Sequence, residues 1–157
     1  MKPFAVCPGS YDPVTLGHVD VILRAASIFG FCDVVVMNNR EKTYRFSLEE
    51  RFLLCQEAFR DYENVSVHCY EGMLYEYLSQ REGAVLVKGI RNEKDYLYEK
   101  EMAVFNYQHS GVETMYLDAR EEFRTLSSTV VRQKMSEMED YESLVPKNVV
   151  NILRNKL

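Results

Sequence analysis

Phe4-Ala-Val-Cys-Pro-Gly-Ser-Tyr-Asp-Pro-Val-Thr-Leu-Gly-His18 carries the reading of the fold. It opens on an apolar run, Phe4 to Cys7, with no period-two alternation; such a run needs cover on both faces and reads as a buried strand of a parallel sheet. Two prolines and two glycines then mark a loop. From His18 onward Val19, Ile22, Leu23, Ala26 and Phe29 fall at i, i+3, i+4, i+7 and i+10, one face of an amphipathic helix. The unit is strand, tight loop, helix.

The same alternation continues outward. Asp33 to Met37 is a second buried strand, followed by the polar stretch Asn38 to Thr43, and Ser47 with Glu50 forms a capping box that opens a helix to about Tyr62. Val65 to Cys69 reads as a strand, Met73 to Gln80 as a short helix, and Ala84 to Val87 as a strand closed by Lys88-Gly-Ile-Arg91. A helix through about His109, a strand from Thr114 to Leu117, a helix capped by Ser127 or Ser128 and a short helix around Val149 complete the chain. Five continuously apolar strands alternating with helices predict an α/β fold, a Rossmann-like, doubly wound parallel five-stranded sheet with helices on both faces. With no internal repeat, low-complexity tract or linker, residues 1–157 are expected to form one domain.

Composition narrows the function classes. Of 157 residues, 46% are hydrophobic and 27% charged, so disorder is excluded. A net charge of −5 argues against a nucleic-acid surface. Cys7, Cys32, Cys55 and Cys69 contain no C-x-x-C pair and are expected to be free thiols, buried or partly so, in a reducing compartment. Neither a signal-peptide core nor an apolar stretch of about 20 residues occurs, so a soluble cytoplasmic location without membrane contact is expected. The methionines, Met37, Met73, Met102 and Met115 especially, are expected to fill core. His68 and His109 are expected to be structural or on the surface, and the acidic run 136–142 to be exposed rather than a metal site.

In an open α/β sheet a ligand sits where the strand-to-helix loops converge at the carboxyl ends of the strands. Here those loops are 8–18, 38–46, 88–94 and 118–128. The second carries Arg40, Lys42 and Arg45 against Glu41, and the third Lys88, Arg91 and Lys94 against Glu93, so a chain that is acidic overall has basic loops at one end of its sheet. Gly9 allows close approach or positive φ, and Gly17 leaves the helix start uncrowded. A helix N-terminus behind such a loop presents unpaired N–H groups to a phosphate. His18 lies in that first turn, where the helix dipole disfavours a cationic imidazole, so stability does not explain it.

Thr15-Leu-Gly-His18 resembles the T/H-x-G-H signature of the nucleotidyltransferase superfamily. The longer string Pro8-Gly-Ser-Tyr-Asp-Pro-x-Thr-x-Gly-His18 resembles the bacterial phosphopantetheine adenylyltransferase family. So do Lys42 with Phe46-Ser-Leu-Glu-Glu-Arg51, Lys88-Gly-Ile-Arg91, Tyr98-Glu99 and Leu126-Ser-Ser-Thr129, in family order. Two positions depart from the pattern. Lys88 stands where arginine is usual, keeping the charge but losing the planar fork, and Ser10 stands where threonine is common, keeping the hydroxyl.

The resemblance implies adenylyl transfer from ATP to 4′-phosphopantetheine, with dephospho-coenzyme A and pyrophosphate as products. It implies His18 as transition-state stabiliser, with Ser10 and Lys42 beside it on the attacking phosphate. Ser10, Lys42, Leu74 and Lys88 would contact phosphopantetheine. Ser10, Tyr11, His18, Gly89, Ile90, Arg91, Glu99, Phe123, Arg124, Thr125, Leu126, Ser127, Ser128 and Thr129 would face ATP. Mg²⁺ is expected on the nucleotide phosphates with no protein cage, a homohexamer as the assembly, and coenzyme A as a possible feedback ligand. Two readings compete: another small nucleotidyltransferase, acting on nicotinate mononucleotide or glycerol phosphate, and a non-catalytic nucleotide-binding module. Retention of His18 and the basic loops speaks against the second.

Overall fold

The computed structural model describes residues 2–156. Five strands, β1 (Phe4–Gly9), β2 (Cys32–Met37), β3 (Val65–Tyr70), β4 (Ala84–Ile90) and β5 (Thr114–Asp118), form one parallel sheet in the order β3-β2-β1-β4-β5. The chain winds outward from β1 in both directions, so the topological switch lies between β1 and β4. Their pairing runs only from Phe4↔Ala84 to Val6↔Leu86, whereas β1 pairs with β2 from Ala5↔Cys32 to Gly9↔Val36. Beyond Val6 and Leu86 the two central strands part, and the ends carrying the loops open as a crevice.

Six helices cover the sheet: α1 (Leu16–Phe29), α2 (Leu48–Ala58), α3 (Leu74–Ser79), α4 (Glu93–Ser110), α5 (Ser128–Ser136) and α6 (Lys147–Arg154). Alternate residues of the central strands serve two cores. Ala5, Cys7, Cys32, Val34 and Val36 pack with Ile22 and Ala26 of α1, Leu54 and Cys55 of α2, Val131 of α5 and Val149 and Leu153 of α6. Val6, Val35 and Leu86 face the other way, onto Tyr77 and Leu78 of α3. Burial on both faces is the physical reason for the unbroken apolar runs.

Asp33 breaks that apolar pattern on the second face. Its fully buried carboxylate accepts from the Tyr77 hydroxyl at 3.1 Å and from the Arg81 guanidinium, and His68 Nε2 lies 3.3 Å away. His68 also contacts the Ser66 hydroxyl at 2.8 Å, so it belongs to a structural cluster. His109 stacks on Phe105 with centroids 4.1 Å apart, tying the end of α4 to itself and to Tyr75 of α3.

Three expectations are corrected. Lys88, Gly89 and Ile90 continue β4 rather than leaving it, because β5 pairs with them at Tyr116, Leu117 and Asp118. Met73, Met102 and Met115 are exposed, at 49%, 39% and 49%: Met73 caps the start of α3, Met102 lies on the apolar outer face of α4, and Met115 lies on the edge strand β5, and no described element covers them. Cys69 is exposed while Cys7, Cys32 and Cys55 are buried.

Candidate active site

The first loop is shaped by its side chains. Positive φ falls on Tyr11, at 51°, and not on Gly9. The Tyr11 hydroxyl donates to the Cys7 carbonyl at 2.8 Å, which folds the ring back over Gly9, where a Cβ would come within 3.1 Å of it. Glycine at position 9 is therefore needed for close approach rather than for its own φ. The Tyr11 ring meets the His18 ring edge-on, centroids 4.9 Å apart.

Thr15 caps α1, and His18 completes a capping box usually closed by Glu or Gln. The Thr15 N–H donates to His18 Nδ1 at 3.0 Å, and the His18 N–H to Thr15 Oγ1 at 3.3 Å. An Nδ1 that accepts leaves the proton of the neutral ring on Nε2. Burial, then the charges of Arg91 and Lys88, push the His18 pKa down to about 4. At neutral pH the residue is a fixed, uncharged N–H donor at the mouth of the crevice.

The neighbouring loops are tied to this one. The buried Asp12 carboxylate accepts from the Arg45 N–H at 2.9 Å and the Phe46 N–H at 3.0 Å, anchoring the far end of the lysine loop. The Ser10 and Tyr44 hydroxyls lie 3.2 Å apart, and Lys42, exposed at the middle of the loop, is positioned by its own N–H bond to the Asn39 carbonyl. Gly89 lets α1 lie against β4, since a Cβ there would come within 2.8 Å of Val21. Arginines join the remaining loops. Arg91 pairs with Asp95 at 2.9 Å and donates to the Leu126 carbonyl at 3.3 Å, while Arg124 donates to the Arg91 carbonyl at 3.1 Å. Ser127 caps α5, Ser128 donates to the Pro13 carbonyl at 2.7 Å, and Thr129 accepts from Arg132.

Two cavities flank the crevice. One, of about 390 Å³, is bounded by Ile90, Arg91, Asn92, Tyr96, Tyr116 and Arg124 among others. The second, of about 110 Å³, lies between β4 and α4 and is lined by Leu74, Lys88, Tyr98, Glu99, Asn106 and Thr114 among others. Lys88 Nζ and Glu99 Oε2 are 3.1 Å apart, so Glu99 stands beside the lysine in the smaller cavity. The Thr114 hydroxyl is buried without a hydrogen-bond partner. One cation from each cavity, Arg91 and Lys88, disfavours a charge on His18.

A family model described as cytidylyltransferase-like matches residues 6–134. The chain is 40% identical over 153 residues to a phosphopantetheine adenylyltransferase of Streptomyces coelicolor, covering 98% of this chain and 96% of that protein. It is 41% identical over 150 residues to a protein of the same name from Pseudarthrobacter chlorophenolicus, covering 95% and 90%. The chain belongs to the phosphopantetheine adenylyltransferase family. The features that set this family member's second cavity, Asn106 and Thr114, were missed in the sequence. Asn106 was within reach: Glu99, Ala103 and Asn106 share one face of α4 at helical spacing, and Asn106 is the buried residue of that helix. Thr114 gave no signal, since a threonine opening a strand is ordinary.

No helix among the described residues is long and apolar enough to cross a membrane. No group of three His, Cys, Asp or Glu side chains among them could hold a metal ion. Asp12 is engaged by backbone N–H groups, Asp95 by Arg91 and Glu99 by Lys88.

Proposed function

We propose that this chain, as one nucleotidyltransferase domain over residues 1–157, transfers the adenylyl group of ATP to 4′-phosphopantetheine. An oxygen of the acceptor phosphate attacks the α-phosphorus in line, the bond from that phosphorus to the pyrophosphate bridge breaks, and dephospho-coenzyme A and pyrophosphate leave. A phosphomonoester with a second pKa of about 6 is already largely dianionic at pH 7, so no side-chain base is required. Catalysis then rests on aligning two anions and stabilising charge on the α-phosphate.

The observation that carries this reading is the locked tautomer of His18. Its Nε2–H is a donor that loses no proton in the reaction and needs no reorientation as the α-phosphate gains charge. Ser10, Lys42 and Lys88 are assigned to the acceptor phosphate, and Leu74 to its apolar arm. Asn106 and the unpartnered Thr114 hydroxyl beside Leu74 suit an elongated acceptor that carries amides, which favours a pantetheine arm over nicotinate mononucleotide. Tyr11, Gly89, Ile90, Arg91, Glu99 and the segment Phe123 to Thr129 are assigned to ATP. Tyr11 would act through its ring or backbone, because its hydroxyl is committed.

Nucleotidyl transfer generally uses a divalent cation, and we assign Mg²⁺. The residues offer it no cage, but they fit an ion carried by the nucleotide, since Mg²⁺ takes much of its octahedron from phosphate and water. When bound, it neutralises phosphate oxygens. The exposed apolar face of α4, with Leu97, Val104 and Tyr107 each more than half exposed, supports the homohexamer that the family suggests. Four unpaired cysteines support a cytoplasmic location. Coenzyme A shares the pantetheine arm, so feedback at the smaller cavity belongs to the same proposal.

Pyrophosphate release should be followed with ATP, Mg²⁺ and each candidate acceptor. Turnover with phosphopantetheine is expected. Turnover with nicotinate mononucleotide or glycerol phosphate instead would overturn the assignment.

A further inference from the structure

Arg51 is the largest side chain buried to 1% or less, and it sits directly beneath the loops assigned to the acceptor phosphate. Its guanidinium makes no ion pair within 4 Å among the described residues. It donates instead to carbonyl and amide oxygens: Nε to Phe46 O at 3.0 Å, Nη1 to Ser10 O at 2.9 Å and to Met37 O at 2.9 Å, and Nη2 to Asn38 Oδ1. Its planar face lies 3.9 Å from the centroid of the Tyr44 ring. The Tyr44 hydroxyl in turn accepts from the Asn39 N–H at 2.6 Å and meets Ser10 Oγ.

These contacts have one geometric result. Met37 and Asn38 begin the lysine loop and Phe46 ends it, so one planar group holds both ends of the segment whose middle residue is Lys42. The Ser10 carbonyl fixes the first loop to the same plane. A buried cation that donates only to neutral oxygens and a ring face is costly for stability alone: burial lowers the Arg51 pKa, and the charge of Asp12, which makes no contact with the guanidinium, offsets only part of that desolvation. Asp12, the nearest buried carboxylate, turns its oxygens to the Arg45 and Phe46 N–H groups and lies 3.8 Å from Arg132.

We propose that Arg51 is a positioning residue for the acceptor phosphate: its fork sets the distance between Ser10 and Lys42, and the buried positive charge becomes balanced when the phosphate dianion binds above it. Lysine cannot replace it, since an ammonium supplies neither the four-way planar geometry nor the stacking face. The inference rests on the assignment of Ser10 and Lys42 to the acceptor.

The test is steady-state kinetics on the full chain, varying each substrate in turn, for Arg51→Lys, Lys42→Ala and the double variant. Arg51→Lys should raise KM for phosphopantetheine about ten-fold or lower kcat similarly, with KM for ATP within about three-fold. Because the separation of Ser10 and Lys42 that Arg51 sets no longer matters once the lysine is gone, the double variant should be little worse than Lys42→Ala alone. Multiplicative losses in the double variant, or an equal rise in both KM values for Arg51→Lys, would overturn the positioning role. If Lys42→Ala itself leaves the phosphopantetheine KM and kcat unchanged, the assignment of the acceptor site fails instead. Should Arg51→Lys not fold, Tyr44→Phe keeps the ring under the guanidinium and removes the Asn39 and Ser10 contacts. It should raise the phosphopantetheine KM selectively, and an unchanged value counts against the proposal.

Discussion

Lowering the pH from 7 to about 4.5 puts a proton where His18 has least room for one. In the unfolded chain its imidazole titrates near 6.5; in the fold, burial and two cations hold it to about 4. Between those values the unfolded state binds a proton that the native state refuses, so native stability falls as pH falls through that window and is fully present above it. At 1.36 kcal/mol per pH unit, a window of about 2.5 units corresponds to about 3 kcal/mol, a ceiling because the ring retains some solvent contact. The structural cause is local: a protonated Nδ1 can no longer accept from the Thr15 N–H, and the capping box opens.

His18→Gln isolates the effect, because glutamine at the third helical position closes the same box without titrating. Urea unfolding of both proteins at several pH values should show wild type losing up to about 3 kcal/mol more than the variant between pH 6.5 and 4. In the same variant kcat should fall by about 10²–10³ with ATP affinity within a few-fold, since a transition-state donor is lost and the ground-state contacts remain. Parallel pH profiles, or a His18 ring resonance titrating near 6.5 by NMR, would refute the reasoning.

Lys88→Arg should leave phosphopantetheine affinity unchanged or tighter by calorimetry, because arginine keeps the ion pair with Glu99 and adds a second parallel bond to phosphate. Thr114→Val should act with opposite signs, leaving thermal stability unchanged or raised by removing an orphaned hydroxyl, while raising KM for phosphopantetheine several-fold. Asp33→Ala should cost about 2–3 kcal/mol in urea unfolding, since it strands the buried Tyr77 hydroxyl and the Arg81 guanidinium.

The strands were legible because two-sided burial leaves no room for polar alternation, and Asp33 shows the cost of the exception: it needs partners from β3, from α3 and from the residues just after α3. His18 was legible from its unfavourable place in a helix, though its cap was not, since histidine is rarely the closing member of a capping box. The end of β4 was hidden because a strand's length is fixed by its neighbour, here β5. The exposed methionines misled for a related reason. Apolar character says that a surface seeks cover, and leaves open whether the cover comes from the same chain. Arg51 closes the motif Phe46 to Arg51 with no role legible in it, because nothing local tells an arginine on a helix that its fork will reach four carbonyl and amide oxygens from three loop segments.

The four cysteines fall into two chemical populations. The hydrogen bond to Cys7 and then burial push the Cys32 thiol far up, burial does the same to Cys55, and Cys7 is buried in the same core, so none of the three is open to reagent. Cys69, on the edge strand β3, is the one exposed thiol among the described residues. The protein thus carries its own single attachment point for a fluorophore or spin label, and no cysteine need be removed from the core before closure around a substrate is followed by distance.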